Sequence, residues 1–228
     1  HGSADTHAAE SYTQPSGHGE MAAHAGDHDA AHDKHVFDQM RNRPWSAFYV
    51  SALFSFLIAL GVLAFYAINR AAQAGWSPLL FRVMEGITSY LIPGGAVLFV
   101  FFVLSVLHMN HVFVWMDPEV VAHDELIRNK SGYLNPIFFL IRAAFFMGGW
   151  IFYRQFSRKL SLAQETATDN RNFVLNFRLS AGFLVFFLIT ESIMSWDWIM
   201  SIDPHWFSTL FGWYVFASFF VSGITVIA

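Results

Sequence analysis

Residues 48–68 read FYVSALFSFLIALGVLAFYAI. The run carries no charged side chain and is long enough to cross a bilayer as one helix. In lipid every backbone amide and carbonyl must find its partner inside the segment, so the run predicts a membrane helix. Four more apolar runs follow it. The second spans 87–107 and contains Pro93-Gly94-Gly95, a triplet expected to kink the helix or let a neighbour approach closely. The third spans 137–153 with Arg142 inside it, the fourth 179–196 with Glu191 inside it, and the fifth 209–228. The pattern predicts an all-α membrane protein: a transmembrane helix bundle over 47–228 with five helices in view.

Composition agrees with that reading. Of 228 residues, 55% are hydrophobic, 18% aromatic and 13% charged, where a soluble domain carries about a quarter charged residues. The absence of cysteine excludes disulfides, iron–sulfur ligation by this chain and thiolate zinc sites. A net charge of -4 without a basic face excludes nucleic acid as a partner class. Residues 1–46 are different in kind. They hold seven of the eleven histidines and seven of the seventeen acids, spaced by alanine. With no apolar periodicity, this block is expected to be a flexible polar tail, without the fixed geometry a metal site needs. The chain does not begin with methionine and ends inside an apolar run, so it reads as a fragment; its polar start is not a secretory signal.

The connections carry their own signals. Asp117-Pro118, Asn135-Pro136 and Asp203-Pro204 each place a capping side chain before a proline. They predict a short interfacial helix over about 118–129 and the starts of the third and fifth membrane helices. Because consecutive helices alternate direction, His108, His111, Asp117, Arg142, Glu191, Asp197, Asp203 and His205 are expected at the membrane face of the tail, here face X. The opposite face Y carries Arg70, Arg82, Arg154, Arg158, Lys159, Arg171 and Arg178, against five cations near X. That excess tilts Y toward the cytoplasm by the positive-inside rule.

Two readings stand at each polar position. Arg142 and Glu191 lie at matching depth in successive runs and are expected to approach each other. An isolated charge there costs about 2.5–3.5 kcal/mol, so the pair is either a relay or quinone-binding group or an ion pair that locks two helices. His108 and His111 are spaced i,i+3 and could turn one way, toward a metal, haem or quinone oxygen, or simply mark a helix end. No histidine lies at the centre of an apolar run, which disfavours haem. Asp203 reads first as a cap, Asp197 as a water-facing acid beside an aromatic belt, and His205 as a solvated or titrating interfacial group. Tyr90, Tyr133, Tyr153 and Tyr214 read mostly as belt residues.

Three stretches carry a resemblance: LHMNHVFVWMD (107–117), YLNPIFFLIRAAFF (133–146) and WDWIMSIDPHWFSTLFGWYVFASFFVSGIT (196–225). They resemble the ActF-type membrane subunits of bacterial alternative complex III, within the NrfD/polysulfide-reductase family of integral membrane subunits. The likeness runs from about Trp45 to the end, and the tail adds nothing to it. It implies a multi-pass bundle of ten helices in the bacterial inner membrane, with its ends in the cytoplasm, against the Lys/Arg count. It implies a place in a quinol:cytochrome c (or high-potential iron–sulfur protein) oxidoreductase. The implied partners are an ActC-like subunit, multihaem cytochrome c and iron–sulfur subunits that hold the haems and clusters, a terminal oxidase, and membrane lipid. This chain itself would bind no haem or cluster, and its one ligand would be a quinone or quinol.

The resemblance brings no particular catalytic residue. The candidates for a proton path or quinone site remain Glu191, Arg142, His108, His111, Asp197, Asp203 and His205. Two other readings stay open. One is a purely structural scaffold of the complex. The other is an independent transporter, with the Pro93-Gly94-Gly95 break marking a substrate site.

Overall fold

A computed structural model describes the backbone of residues 18–228, and side chains from residue 42 except those of Pro118, Glu119 and His123. The chain divides into two units, His1–Arg43 and Pro44–Ala228. Most of the polar block at 1–46 lies in the first, and its residues 1–17 are outside the described residues. From His18 onward its backbone is helical, as part of α1 (His18–Ala71). Alanine is the best helix former, so a histidine- and aspartate-containing stretch spaced by alanine takes helical backbone without any apolar stripe.

The second unit is an antiparallel helix bundle. After α1 come α2 (Pro78–Ile87), α3 (Leu91–Val106), α4 (Pro118–His123), α5 (Glu125–Asn129), α6 (Pro136–Thr166), α7 (Arg171–Met194) and α8 (Phe211–Ile227), with no strand among the described residues. Four stretches are long and apolar enough to cross a membrane: Asn42–Ala71, Pro78–Val106, Pro136–Thr166 and Arg171–Ile202. This is a multi-pass membrane protein. Where a fifth span is expected there is an apolar helix, α8, but at 17 residues it is shorter than the other four.

The spans also run further than charge-free counting predicts. The second begins at Pro78, because α2 passes through one 3-10 turn (Thr88–Tyr90) into α3. Pro93-Gly94-Gly95 does not break it. Pro93 sits in the first turn of α3, where the missing amide costs nothing, and Gly95 faces α1 with room for a side-chain carbon. A Cβ at Gly95 would lie 3.4 Å from the Phe56 ring. The fourth span continues beyond Met194 through a π-helical turn (Ser195–Ile199) and a 3-10 turn to Ile202. The expected interfacial helix at 118–129 is two helices, because Asp124 leaves helical geometry and caps α5 with its carboxylate on the Leu126 and Ile127 amides.

Helix pairing is legible in the contacts. As α6 runs forward, its partners on α7 run backward: Trp150 donates to Thr190 (3.0 Å), Tyr153 pairs with Ser180 (2.8 Å), and Ser157 with Asn176 (2.7 Å). The bundle core is aromatic. Trp198 is wholly buried among Phe56, Phe102 and Trp150, and the Tyr49 hydroxyl donates to its carbonyl at 2.6 Å. Phe54, Ile141, Phe145, Phe152, Val185 and Ile189 point outward, where lipid is the natural solvent.

α8 docks on α1 where glycine removes the side chain. A Cβ at Gly223 would meet the Val62 amide nitrogen at 2.9 Å and the Gly61 carbonyl carbon at 3.0 Å. Both are backbone atoms and cannot swing aside. Gly223→Val is therefore expected to push α8 off α1 and to cost about 1–3 kcal/mol of overpacking. A thermal-unfolding midpoint unchanged from the parent would contradict this contact.

Candidate functional site

The centre of the site is a buried ion pair that joins α6 to the end of the fourth span. Arg142 lies on the second turn of α6, a helix fixed at its start by Asn135, whose side chain accepts from the Ile137 amide. Its guanidinium grips Asp197 with two nitrogens, Nε to Oδ2 at 2.6 Å and a terminal nitrogen to Oδ1 at 3.1 Å. This two-point geometry is the strongest form of side-chain hydrogen bonding to a carboxylate. Asp197 is 0% exposed and Arg142 8% exposed. The guanidinium also donates to the Tyr133 carbonyl at 3.2 Å and lies over the Tyr133 and Phe138 rings. The Tyr133 hydroxyl donates to Asp197 Oδ1 at 2.8 Å. Asp197 itself stands on the π-helical turn, a local irregularity common at functional sites.

Two expectations are corrected here. Asp197 is not a water-facing acid but a fully buried one. Arg142 pairs with it and not with Glu191. Depth counted from the last apolar residue misplaces the fourth span, which runs on to Ile202 and so brings Asp197 to the level of Arg142. Six residues earlier, Glu191 sits about 9 Å deeper along the helix axis. It is 3% exposed; its Oε2 has only a 3.4 Å contact from the Ser192 hydroxyl, and Oε1 has no partner.

An apolar cavity of about 640 Å³ opens beside the pair. One wall is formed by Leu126, Lys130 and Tyr133, the other by Trp196, Met200 and Phe207. Ser201 also lines it and donates its hydroxyl to the Asp197 carbonyl. The size and the mostly apolar lining with a few convergent polar groups are those of a small-molecule site. Burial, then the Asp197 carboxylate and the hydrogen bond to it, push the Tyr133 phenol above its usual range, against the Arg142 charge.

The remaining candidates lie outside the cavity lining. His205 Nε2 lies 2.7 Å from Asp124 Oδ2. Desolvation pushes the Asp124 carboxyl up, but the Ile127 and Leu126 amides and the His205 imidazole outweigh it and hold the group below the usual carboxylate range. Asp203 does not cap the fifth helix, whose N-cap is Leu210; its carboxylate accepts from the His205 amide at 3.2 Å, in the turn that follows the fourth span. His108 and His111 do not share a helix face. α3 ends at Val106, and His108 takes a left-handed backbone (φ 57°) that turns the chain away. His108 is exposed, while His111 Nδ1 lies 3.8 Å from Asp117. Among the described residues no group of three His, Cys, Asp or Glu side chains could hold a metal ion.

A second polar cluster, at face Y, escapes sequence reading. The Tyr66 hydroxyl donates to the buried Glu85 at 3.2 Å, Arg82 pairs with Glu85 at 2.6 Å and also with Glu165, and Arg70 reaches Tyr66 and Ser161. Ser157 connects Tyr66 to Asn176. Glu85 lies before the charge-free run of the second span, so counting leaves it in a loop. The i,i+3 spacing of Arg82 and Glu85 was the available signal.

No protein-family model matches the chain, and no curated protein matches it.

Proposed function

We propose that the chain is a membrane subunit of a quinol-oxidising respiratory complex of the alternative complex III type, and that the cavity at face X receives a quinone or quinol headgroup. The observation that carries this reading is a largely apolar cavity of about 640 Å³ whose few polar lining residues include Tyr133, its hydroxyl held by a buried carboxylate. A quinol needs that combination: apolar walls for ring and tail, and a hydrogen-bonding group at the ring oxygen. Because Tyr133 donates its own proton to Asp197, its oxygen is left to accept from a quinol hydroxyl. Arg142 fixes Asp197, and with it the phenol. Quinol oxidation releases two electrons and two protons. This chain has no cysteine to hold a cluster, so the electrons would pass to haems and iron–sulfur clusters of partner subunits. The resemblance of 107–117, 133–146 and 196–225 supplies the partners proposed: an ActC-like subunit, multihaem cytochrome c and iron–sulfur subunits, and a terminal oxidase, in a bacterial inner membrane. It also supplies the cytoplasmic side for the N-terminal tail.

A second reading has its own observation. The Arg142–Asp197 bridge ties α6 to the π-turn as a structural lock would, and a scaffold needs no occupant in the cavity. A photoreactive azidoquinone with a short alkyl tail separates the two. Added to the assembled complex, it is expected to label this chain within residues 126–134 or 196–207. Tyr133→Phe, which removes one hydrogen bond of about 0.5–1.5 kcal/mol, is expected to lower labelling about three- to tenfold. Labelling confined to other regions, or equal in the variant, would reject the quinone site.

A further inference from the structure

The two walls of the cavity belong to different parts of the chain. Leu126, Asn129 and Lys130 come from α5 and its end, and Pro204, Trp206 and Phe207 come from the irregular segment between the fourth span and α8. That segment, residues 203–210, has no helix of its own to hold it. Two polar contacts join it to the opposite wall. His205 Nε2 meets Asp124 Oδ2 at 2.7 Å, and the Lys130 ammonium donates to the Pro204 carbonyl at 2.8 Å. Both cross the mouth, on neighbouring residues, and neither lies inside the cavity lining beyond Lys130 and Pro204 themselves.

We propose that residues 203–207 form a strap over the cavity mouth, latched to α5 by the His205–Asp124 pair, and that breaking the latch opens the cavity. The inference rests on reading the cavity as a ligand site. The Asp124 carboxylate is anchored at the α5 N-cap by the Leu126 and Ile127 amides, so it presents a fixed partner to the imidazole. On the strap, the Asp203 carboxylate accepts from the His205 amide, and Lys130 holds the adjoining Pro204 carbonyl. His205 is more than half exposed, so the effect is a shift in opening frequency and not a loss of fold.

The chain has no cysteine, so a single introduced thiol reports on the mouth alone. Ser201→Cys is a near-isosteric change on the cavity wall at a 6% exposed position. In the assembled complex, the labelling rate of the Ser201→Cys thiol by a water-soluble maleimide is to be compared at one pH between the parent latch and two latch variants, so thiolate fraction cancels. His205→Gln keeps size and a hydrogen-bond donor. Asp124→Asn keeps the α5 cap. Each variant is expected to label about three- to tenfold faster than the parent. A Ser180→Cys thiol, wholly buried between α6 and α7, is expected to stay unlabelled throughout, which separates strap opening from unfolding. A ratio near one overturns the latch and leaves the azidoquinone result untouched, because that result reports the occupant and not the opening.

Discussion

Arg142→Ala is expected to destabilise the bundle by about 3–5 kcal/mol, the cost of stranding a buried carboxylate whose partner has gone. Asp197 has no access to water, and without Arg142 it keeps only the Tyr133 hydroxyl as a side-chain donor. Asp197→Ala is expected to cost a similar amount from the other side, since Arg142 would then retain one carbonyl and two aromatic faces. The paired replacement Arg142→Met with Asp197→Leu is expected to recover most of the loss, because it removes both charges and leaves apolar volume in an apolar bundle. Thermal unfolding of the purified protein in detergent reads all three. Single variants as stable as the parent would mean that the pair is open to water or to another partner. A double variant as unstable as the singles would mean that the residues act through packing and not through charge.

The double variant also divides the two readings of the site. A lock can be replaced by apolar packing. A quinone corner cannot, because Tyr133 would lose the carboxylate that orients its phenol. A stable double variant that binds no azidoquinone supports the site, and one that is labelled as well as the parent places the pair in the scaffold.

How much of this was legible beforehand follows from what kind of signal each feature leaves. Charge-free runs longer than a bilayer announce the spans, because lipid tolerates no alternative to helix. The meeting of the start of α6 with the end of the fourth span, where Arg142 meets Asp197, also follows from alternation of helix direction. Register within the helices does not. The tryptophans at 196 and 198 look like an interfacial belt, and reading them so ends the fourth span too early. In the structure Trp198 is core, packed on Phe56, Phe102 and Trp150, and the span continues through the π-turn. That one shift replaces Glu191 by Asp197 as the partner of Arg142. Capping is legible where the cap is local, as at Asn135. It fails at Asp203, where the chain wanders from 203 to 210 before α8 begins, because tertiary contacts to Asp124 and Lys130 hold it. The face Y cluster left no trace in a count of apolar residues, since Glu85, Tyr66, Ser157 and Asn176 join only when four helices are assembled.

On the proposed function, Glu191→Gln is expected to keep or raise stability while cutting proton-coupled quinol turnover by about a hundredfold or more, the scale of one general acid–base group. Glu191 is 3% exposed, one oxygen has no partner, and the other has only a marginal contact with its neighbour Ser192. A buried polar group without a partner costs about 1–3 kcal/mol, so nothing in the packing rewards an acid at this position. Arg142 is committed to Asp197, which removes the helix lock that would have justified the charge. What remains is a carboxyl in the bundle interior, deeper than the ion pair and on the helix whose other polar side chains, Thr190, Ser180 and Asn176, meet Trp150, Tyr153 and Ser157 of α6 toward face Y. An intramembrane ionisable group with no structural partner is the usual mark of a proton site. The measurement is paired: melting temperature in detergent, and quinol turnover with proton release in membranes, both per assembled complex. Lost stability with normal turnover per complex would make Glu191 a packing residue and leave the scaffold reading in place. Unchanged stability with unchanged proton release would remove it from any proton path and confine the chemistry of this chain to the cavity beside Tyr133.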